Sequence, residues 1–253
     1  MIDHHEVDEI FWWHSIDLGD RVTPGHKSSD LLEREWSNLQ LPDLTGRSVL
    51  DIGCWDGWFS FRAEREGAAR VVALDHYVWS LDLPRQQAYW RDCRERGITP
   101  EPYHEQAALW HPDTLPGKAG FDLARSALAS GVTPVVADFM TTDLDALGAF
   151  DVVLYLGVIY HVEEPLTALR RLRHVTKELA VIESEAIAID GQARPLFELA
   201  PGAEVNADVG NWWIPTAEGL TGLCRAAGFR EAEAVIGPTE GVERYRLVVH
   251  ARV

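Results

Sequence analysis

RSVLDIGCWDGWFSFRAEREGAARVVALD, residues 47–75, is the stretch whose reading decides the fold. Arg47 to Ile52 is a short apolar run rich in β-formers, and it stops at Gly53. Trp58 to Glu66 reads as a helix closed by Gly67, and Arg70 to Leu74 is a second apolar run ending at Asp75. Strand, glycine turn, helix and strand in so short a stretch make a βαβ unit, whose two strands lie parallel.

The same rhythm runs outward. Ser29 and Asp30 can start a helix over Leu31 to Leu39, which ends before Pro42. Further helices are expected over 84–96 (opened by Pro84, closed by Gly97), 121–129, 165–176 and 216–227. Strands are expected over 132–137, 150–156, 179–183 with room to extend to Ile189, 230–236 and 245–251. The fold class is α/β: a Rossmann-like, mostly parallel sheet with helices on both faces. No helix signal separates the last two strands, so they form an antiparallel hairpin at the C-terminal edge. Residues 1–43 read as an N-terminal lid or helical segment, and 44–253 as the main domain. Two loop insertions stand out in it: 98–120, with four prolines, and 190–215, with Gly191, Pro195, Pro201, Gly202, Gly210 and Pro215.

Composition narrows the function. The 253 residues are 46% hydrophobic, and 40 acids against 23 bases give a net charge of −17. Proteins that hold nucleic acid usually leave a basic footprint, and an acidic chain suits small or cationic ligands better. Cys54, Cys93 and Cys224 are few, odd in number and far apart, which favours a reducing compartment over a disulfide framework. The acidic start MIDHHEVDEIFWW has no basic region followed by an apolar stretch, and no uncharged apolar run approaches the ~20 residues of a membrane span. The expectation is a soluble cytoplasmic protein, monomer or homodimer, with no membrane partner. His4, His5, Glu6 and Asp8 match no zinc spacing, so no metal is expected.

In open α/β sheets ligands bind beyond the carboxyl ends of the strands. Those ends carry Asp51 to Gly57, Asp75, Asp138-Phe139, and Gly157 to His161. Gly53 permits a backbone shape other residues resist and a close ligand approach. An acid about 20 residues past such a turn accepts hydrogen bonds from ribose hydroxyls, which is the place of Asp75. A dinucleotide fingerprint wants a second glycine where this chain has Trp55 followed by Asp56. A ring and a carboxylate suit a pyrophosphate poorly; a cationic nucleoside without phosphates, such as S-adenosylmethionine, fits better. Asp51 and Asp56 can also be read as caps of the following helix.

VLDIGCWDGWFSF followed by RVVALD resembles the class I S-adenosylmethionine-dependent methyltransferases, and the resemblance runs from about Leu44 to the C-terminus. More narrowly, HSIDLGDRVTPGHKS (14–28), the Trp-Asp-Gly of the loop, LGVIYHVEEPLTALRRL (156–172) and NWWIPTAEGLTGLCRAAGF (211–229) are similar to the tRNA wobble-uridine carboxymethyltransferase group. The resemblance implies that Gly53 and its neighbours Cys54, Trp55 and Gly57 line the methionine and ribose portions of the donor, with Asp51 near its amino group. It implies that Asp75, with His76 after it, holds the ribose, and that Asp138 and Phe139 flank the adenine. Leu156 and Gly157 would bind the donor, Tyr160 and His161 would lie beside the transferred group, and Trp212 and Trp213 would cover the acceptor, with Trp13 in the N-terminal lid. Tyr160 and Arg246 match positions that hold the extra carboxylate of carboxy-S-adenosylmethionine; the group's lysine is assigned to Lys27.

Methyl transfer is a displacement whose main demand is alignment. A base is needed only where the acceptor loses a proton; His161 leads, with Tyr160, His14 and Asp17 behind it. His161 can equally hold a loop by a backbone hydrogen bond. The sequence therefore points to methyl transfer onto the oxygen or nitrogen of a small molecule. It keeps two other readings: carboxymethyl transfer to tRNA, and a non-catalytic cofactor-binding regulator. The basic run Arg170, Arg171, Arg173 reads mainly as a solvated helix face. Cys54 reads as a packing residue more than as a thiol activated by a helix N-terminus.

Overall fold

The computed structural model describes residues 4–189, 194–200, 202, 205, 210–238 and 241–253. The elements run α1 (His4–Glu9), α2 (Ser29–Asn38), β1 (Ser48–Ile52), α3 (Trp58–Arg65), β2 (Arg70–Asp75), α4 (Tyr77–Ser80) and α5 (Leu83–Arg96). They continue with α6 (Ala119–Ala127), β3 (Thr133–Val136), α7 (Leu144–Leu147), β4 (Phe150–Leu156), α8 (Pro165–Val175) and β5 (Thr176–Ile187). The chain closes with β6 (Phe197–Leu199), β7 (Trp213–Pro215), α9 (Ala217–Ala226), β8 (Glu231–Ile236) and β9 (Arg244–Arg252).

Seven strands form one sheet in the order β3-β2-β1-β4-β5-β9-β8; β6 and β7 make a separate pair. The five strands from β3 to β5 in that order pair with one another in parallel, and β9 is antiparallel to both β5 and β8. The expected C-terminal hairpin is present, but its second strand enters between β5 and β8, so β8 forms the edge. Pro134 sits in β3 because β3 is the other edge, where a missing N–H is tolerated.

Alternation along the strands feeds two cores, one on each face of the sheet. Leu50, Ile52, Val153 and Tyr155 point to the face covered by Leu169 and Leu172 of α8 and Leu220 of α9. Val49, Val152 and Leu154 point to the other, covered by Phe59 and Phe61 of α3 and Phe121 of α6. Each fully buried Leu, Val or Phe contributes about 1.5–3 kcal/mol. The N-terminal segment joins the second core through Val7, Trp12, Ile16, Leu18 and Leu32.

Helix ends follow their chemistry. Asp82 caps α5, which carries Pro84 in its first turn and ends at Gly97 in the left-handed region (φ +64°). Thr216 caps α9 by accepting from Gly219 N at 3.1 Å, so this residue precedes the helix. α1, α4 and α7 are too short to leave a periodic signal. β5 begins at Thr176, directly where α8 ends, three residues earlier than its apolar run indicates. The 98–120 connection contains two short 3-10 turns. Within the 190–215 insertion, Gly191 and Pro201 lie outside the described residues.

Candidate active site

The sheet order reverses between β1 and β4, and the carboxyl ends of these strands carry the glycine turn and the Gly157 turn. Gly53 has φ +76°, and a Cβ there would stand 2.6 Å from Val158 Cγ2. The missing side chain therefore lets the two turns meet while Gly53 itself stays exposed. Trp55, standing where a second glycine is expected, also has a positive φ of +51°. Placing a bulky residue there costs about 1–2 kcal/mol. The loop offsets that cost with its own bonds. Trp55 N donates to Asp75 Oδ2 at 3.0 Å, its carbonyl accepts from Trp79 Nε1 at 2.7 Å, and its ring stacks on Trp13 at 4.8 Å and 9°. The buried Trp55 Nε1 has no protein partner.

Asp51 and Asp75 end adjacent strands, and both are buried. Asp51 accepts from Ser60 Oγ at 2.6 Å; Asp75 accepts from Trp55 N and from Val78 N at 3.1 Å. Burial pushes each carboxyl up to about 6, against the opposing pull of those hydrogen bonds. Two desolvated carboxylates beside a backbone turn without a Cβ fit a ligand that brings a positive charge and hydroxyl donors. S-adenosylmethionine brings an ammonium, a sulfonium and a ribose, so this donor set suits it.

The N-terminal strap, residues 11–28, lies over this loop. Asp56 holds it: the carboxylate accepts from Trp13 N and His14 N, each at 2.9 Å, and pairs with His14 Nδ1. His14 and Asp56 are both buried. Asp56 is therefore a latch between strap and loop and not the cap of α3, whose N-cap is Gly57 with no side-chain bond. Gly57 has φ +87°, and a Cβ there would meet the Phe121 ring at 2.6 Å. Trp12 is a core residue bonded to Val7 O at 2.9 Å, whereas Trp13 is half-buried and faces Trp55. Lys27 belongs to the strap, and its ammonium lies between both oxygens of Glu35 at 2.7 and 2.9 Å.

A second cluster surrounds Gly157. A Cβ on this glycine (φ +71°) would stand 3.5 Å from Tyr160 Oη, 3.8 Å from Arg246 Nη2 and 3.9 Å from Glu183 Oε2. Arg246 grips Glu183 through a fork: Nη2 to Oε2 at 2.7 Å, with Nε paired to Oε1. Its Nη1 donates to Glu185 Oε1 at 3.0 Å and reaches Tyr160 Oη at 3.4 Å. Burial pushes the Tyr160 phenol up to about 12, so it keeps its proton at neutral pH. The cluster brings Tyr160 and Arg246 together as the sequence implies and adds two acids that the sequence reading did not single out.

The other site residues fall as follows. His161 is exposed, its ring 4.4 Å from that of Tyr160, and its Nδ1 is bonded to Gly210 O at 2.8 Å. That is the loop-holding arrangement; with the proton on Nδ1, Nε2 is the basic nitrogen. Trp212 N donates to Tyr160 O at 2.7 Å and Trp213 Nε1 to Glu163 O at 3.0 Å, tying the 211–215 segment to the turn after β4. Asp138 is exposed and folds its own turn, accepting from Met140 N at 2.8 Å and Thr141 Oγ1 at 3.0 Å. Phe139 is buried against Tyr155, and Arg171 Nε holds its carbonyl at 2.6 Å. The basic run on α8 is thus partly structural, since Arg173 Nε also bonds Gly228 O at 3.1 Å. His76 meets Trp110 edge-on at 5.4 Å, and Leu156 is half-buried. Asp17 is exposed and accepts from Gly19 N at 2.9 Å. Burial and the neighbouring Asp75 and Asp51 push the Cys54 thiol well up, so it packs and is not activated. Two clefts of about 250 and 160 Å3 lie elsewhere: neither is lined by Asp51, Gly53 or Asp75.

The signal for the missed acids was the alternation of Glu183 and Glu185 in one apolar run; that Glu185 lies directly opposite Arg246 is a matter of register, visible only in the folded sheet. The latch has a weaker signal, a carboxylate between Trp55 and Gly57 that no helix needs.

The family described as a methyltransferase domain matches residues 25–233. Among curated proteins, the tRNA U34 carboxymethyltransferases of Shewanella loihica and Ectopseudomonas mendocina are 26% and 27% identical over 79% and 81% of the chain. The matches span about half the length of those relatives (50% and 51%). Among solved structures, the N-terminal domain of EvdMO1 with S-adenosylhomocysteine bound matches with a TM-score of 0.63 at 18% identity, covering 100% of this chain and 98% of that one. The same domain in the presence of S-adenosylhomocysteine and D-fucose matches at 0.60 and 18% identity, covering 98% and 93%. These likenesses show the fold. No helix among the described residues is long and apolar enough to cross a membrane.

Proposed function

The chain belongs to the class I S-adenosylmethionine-dependent methyltransferase domain family, and we propose that it transfers the donor's methyl group to an oxygen or nitrogen of a small-molecule acceptor. The observation that carries the donor half is the pairing of Gly53, where a Cβ has no room, with the buried, cation-seeking carboxyls of Asp51 and Asp75. When bound, the donor supplies a methyl carbon made electrophilic by its sulfonium.

The chain's own residues then have three tasks. Asp51 receives the donor's ammonium, Asp75 accepts from its ribose hydroxyls, and Trp55 and Trp13 exclude water from the loop. Tyr160 and Gly157 shape the space beside the methyl group, under the segment of Trp212 and Trp213. His161, tethered through Nδ1, presents Nε2 to take the proton that a hydroxyl acceptor loses.

The small-molecule half rests on charge. With a net charge of −17, and with Lys27 and Arg246 engaged by carboxylates, the chain offers a phosphate backbone little. A sugar hydroxyl is one acceptor of the right class, given the neighbour crystallised in the presence of D-fucose. The curated relatives' name favours a second reading, carboxymethyl transfer to tRNA.

The test is direct. Purified protein is titrated calorimetrically with S-adenosylmethionine and S-adenosylhomocysteine, then incubated with S-adenosylmethionine or carboxy-S-adenosylmethionine and panels of sugars, amines, phenols and unmodified tRNA. Mass spectrometry should find a one-methyl gain on a small acceptor. A carboxymethyl gain on tRNA would establish the second reading, and absence of binding to either nucleoside would overturn both.

A further inference from the structure

The cluster around Gly157 bears on which donor the site takes, an inference that rests on the donor reading above. Gly157 directly follows β4, and Val158 beside it packs on Gly53 across the β1–β4 crevice, so the cluster borders the place where the donor's methionine end would lie. Glu183 occupies two nitrogens of Arg246 in fork geometry and thereby fixes the guanidinium plane. The nitrogen turned toward Tyr160 is Nη1. It is the edge from which arginine and a phenol could together grip an incoming carboxylate, and Glu185 already holds it at 3.0 Å.

Glu185 holds that edge firmly. It is the cross-strand partner of Arg246 in the β5–β9 ladder, so backbone pairing sets its place. Its side chain is 17% exposed, and displacing it would strand a half-buried carboxylate without its guanidinium. Two acids against one base also leave the cluster net negative, which complements a sulfonium and repels an anion.

We propose that Glu185 is a donor-specificity residue. By occupying the Nη1 edge of Arg246 it reserves the site for S-adenosylmethionine, whose transferable methyl is uncharged, and excludes a donor whose transferable group carries a carboxylate. Specificity here comes from a repulsive element placed against the wrong ligand.

The experiment compares dissociation constants, by calorimetry on the full chain, for S-adenosylmethionine and for carboxy-S-adenosylmethionine. Wild type should bind the first more tightly by about tenfold or more, and Glu185→Gln should shrink that ratio about tenfold as the repulsion is removed. Glu185→Leu, which removes the hydrogen bond as well, should shrink it at least as far. A wild type that binds the carboxylated donor as tightly as the plain one overturns this inference while leaving the methyltransferase domain its donor site. So does a ratio that neither substitution moves. Glu185→Gln keeps the side chain's size and an acceptor oxygen, so it carries the test if Glu185→Leu does not fold. A wild type that binds neither donor overturns the donor reading itself.

Discussion

Replacing Asp51 with Asn should make the ligand-free protein more stable and a worse donor binder at the same time. Asp51 is 3% exposed, and its Oδ2 accepts from Ser60 Oγ at 2.6 Å. Burial raises its carboxyl to about 6 from an ordinary 3.8, with Ser60 and His14 pulling it down and Asp75 adding repulsion. An acid raised in the folded state favours folding while protonated, and that stability is lost as pH rises from about 4 through about 6. Two pH units at ~1.36 kcal/mol each make the ionised carboxyl unfavourable by about 3 kcal/mol at pH 8. Asn is nearly isosteric, carries no charge and keeps an oxygen for Ser60, a weaker acceptor by about 1 kcal/mol. The net gain is about 2 kcal/mol, or roughly 4–8 °C in Tm for a domain of this size. Thermal unfolding followed by circular dichroism, at pH 8 and pH 5, with and without S-adenosylhomocysteine, reads all the terms. The variant should melt higher than wild type at pH 8 and about level with it at pH 5. It should also lose most of the ligand-induced rise that wild type shows. A variant that melts lower at pH 8, or keeps the full ligand-induced rise, would refute the reading of Asp51 as a buried charge held for a cationic ligand.

Three further outcomes follow from the same geometry. Donor affinity should fall as pH drops below about 6, by up to about tenfold per pH unit for each carboxyl, because Asp51 and Asp75 both take up protons there; calorimetry from pH 8 to 5 measures it, and a flat profile contradicts the assignment. Asp56→Ala strips three bonds from the strap and should destabilise the protein by about 3–5 kcal/mol, with the first new protease cuts falling in residues 11–28; urea unfolding and mass-mapped limited proteolysis check this, and cuts elsewhere first would argue against the latch. Trp55→Gly and Trp55→Ala lose the same ring from Trp13, but only glycine is at ease at φ +51°. Glycine should therefore be the more stable of the two by about 1 kcal/mol, and equal stabilities would mean that the loop relaxes out of the left-handed region.

The fold was legible because its signals are local. Apolar runs ending at Gly53, Asp75 and Gly157, and helices closed by Gly67, Gly97 and Gly228, can be read one stretch at a time. What escaped is what depends on a partner distant in sequence. The path of β9 between β5 and β8 is set by pairing with Thr176–Ile187, a strand whose start is hidden by the charged Lys177 and Glu178. The strands β6 and β7 are three residues each and gain their place from the chain around them.

The site divides along the same line. Asp51, Gly53 and Asp75 could be named from one dimension, because a strand end announces where it points. Asp56 could not be given its role, since its partners Trp13 and His14 lie more than forty positions away. The Arg246 cluster shows the difference most sharply. One arginine and one tyrosine, taken from the sequence, look like a grip for a carboxylate; the folded chain supplies that grip with two carboxylates of its own. Chemistry inferred from a residue's type holds only while its charge is available. Whether it is available is decided by register, here the pairing of Glu185 with Arg246 across β5 and β9.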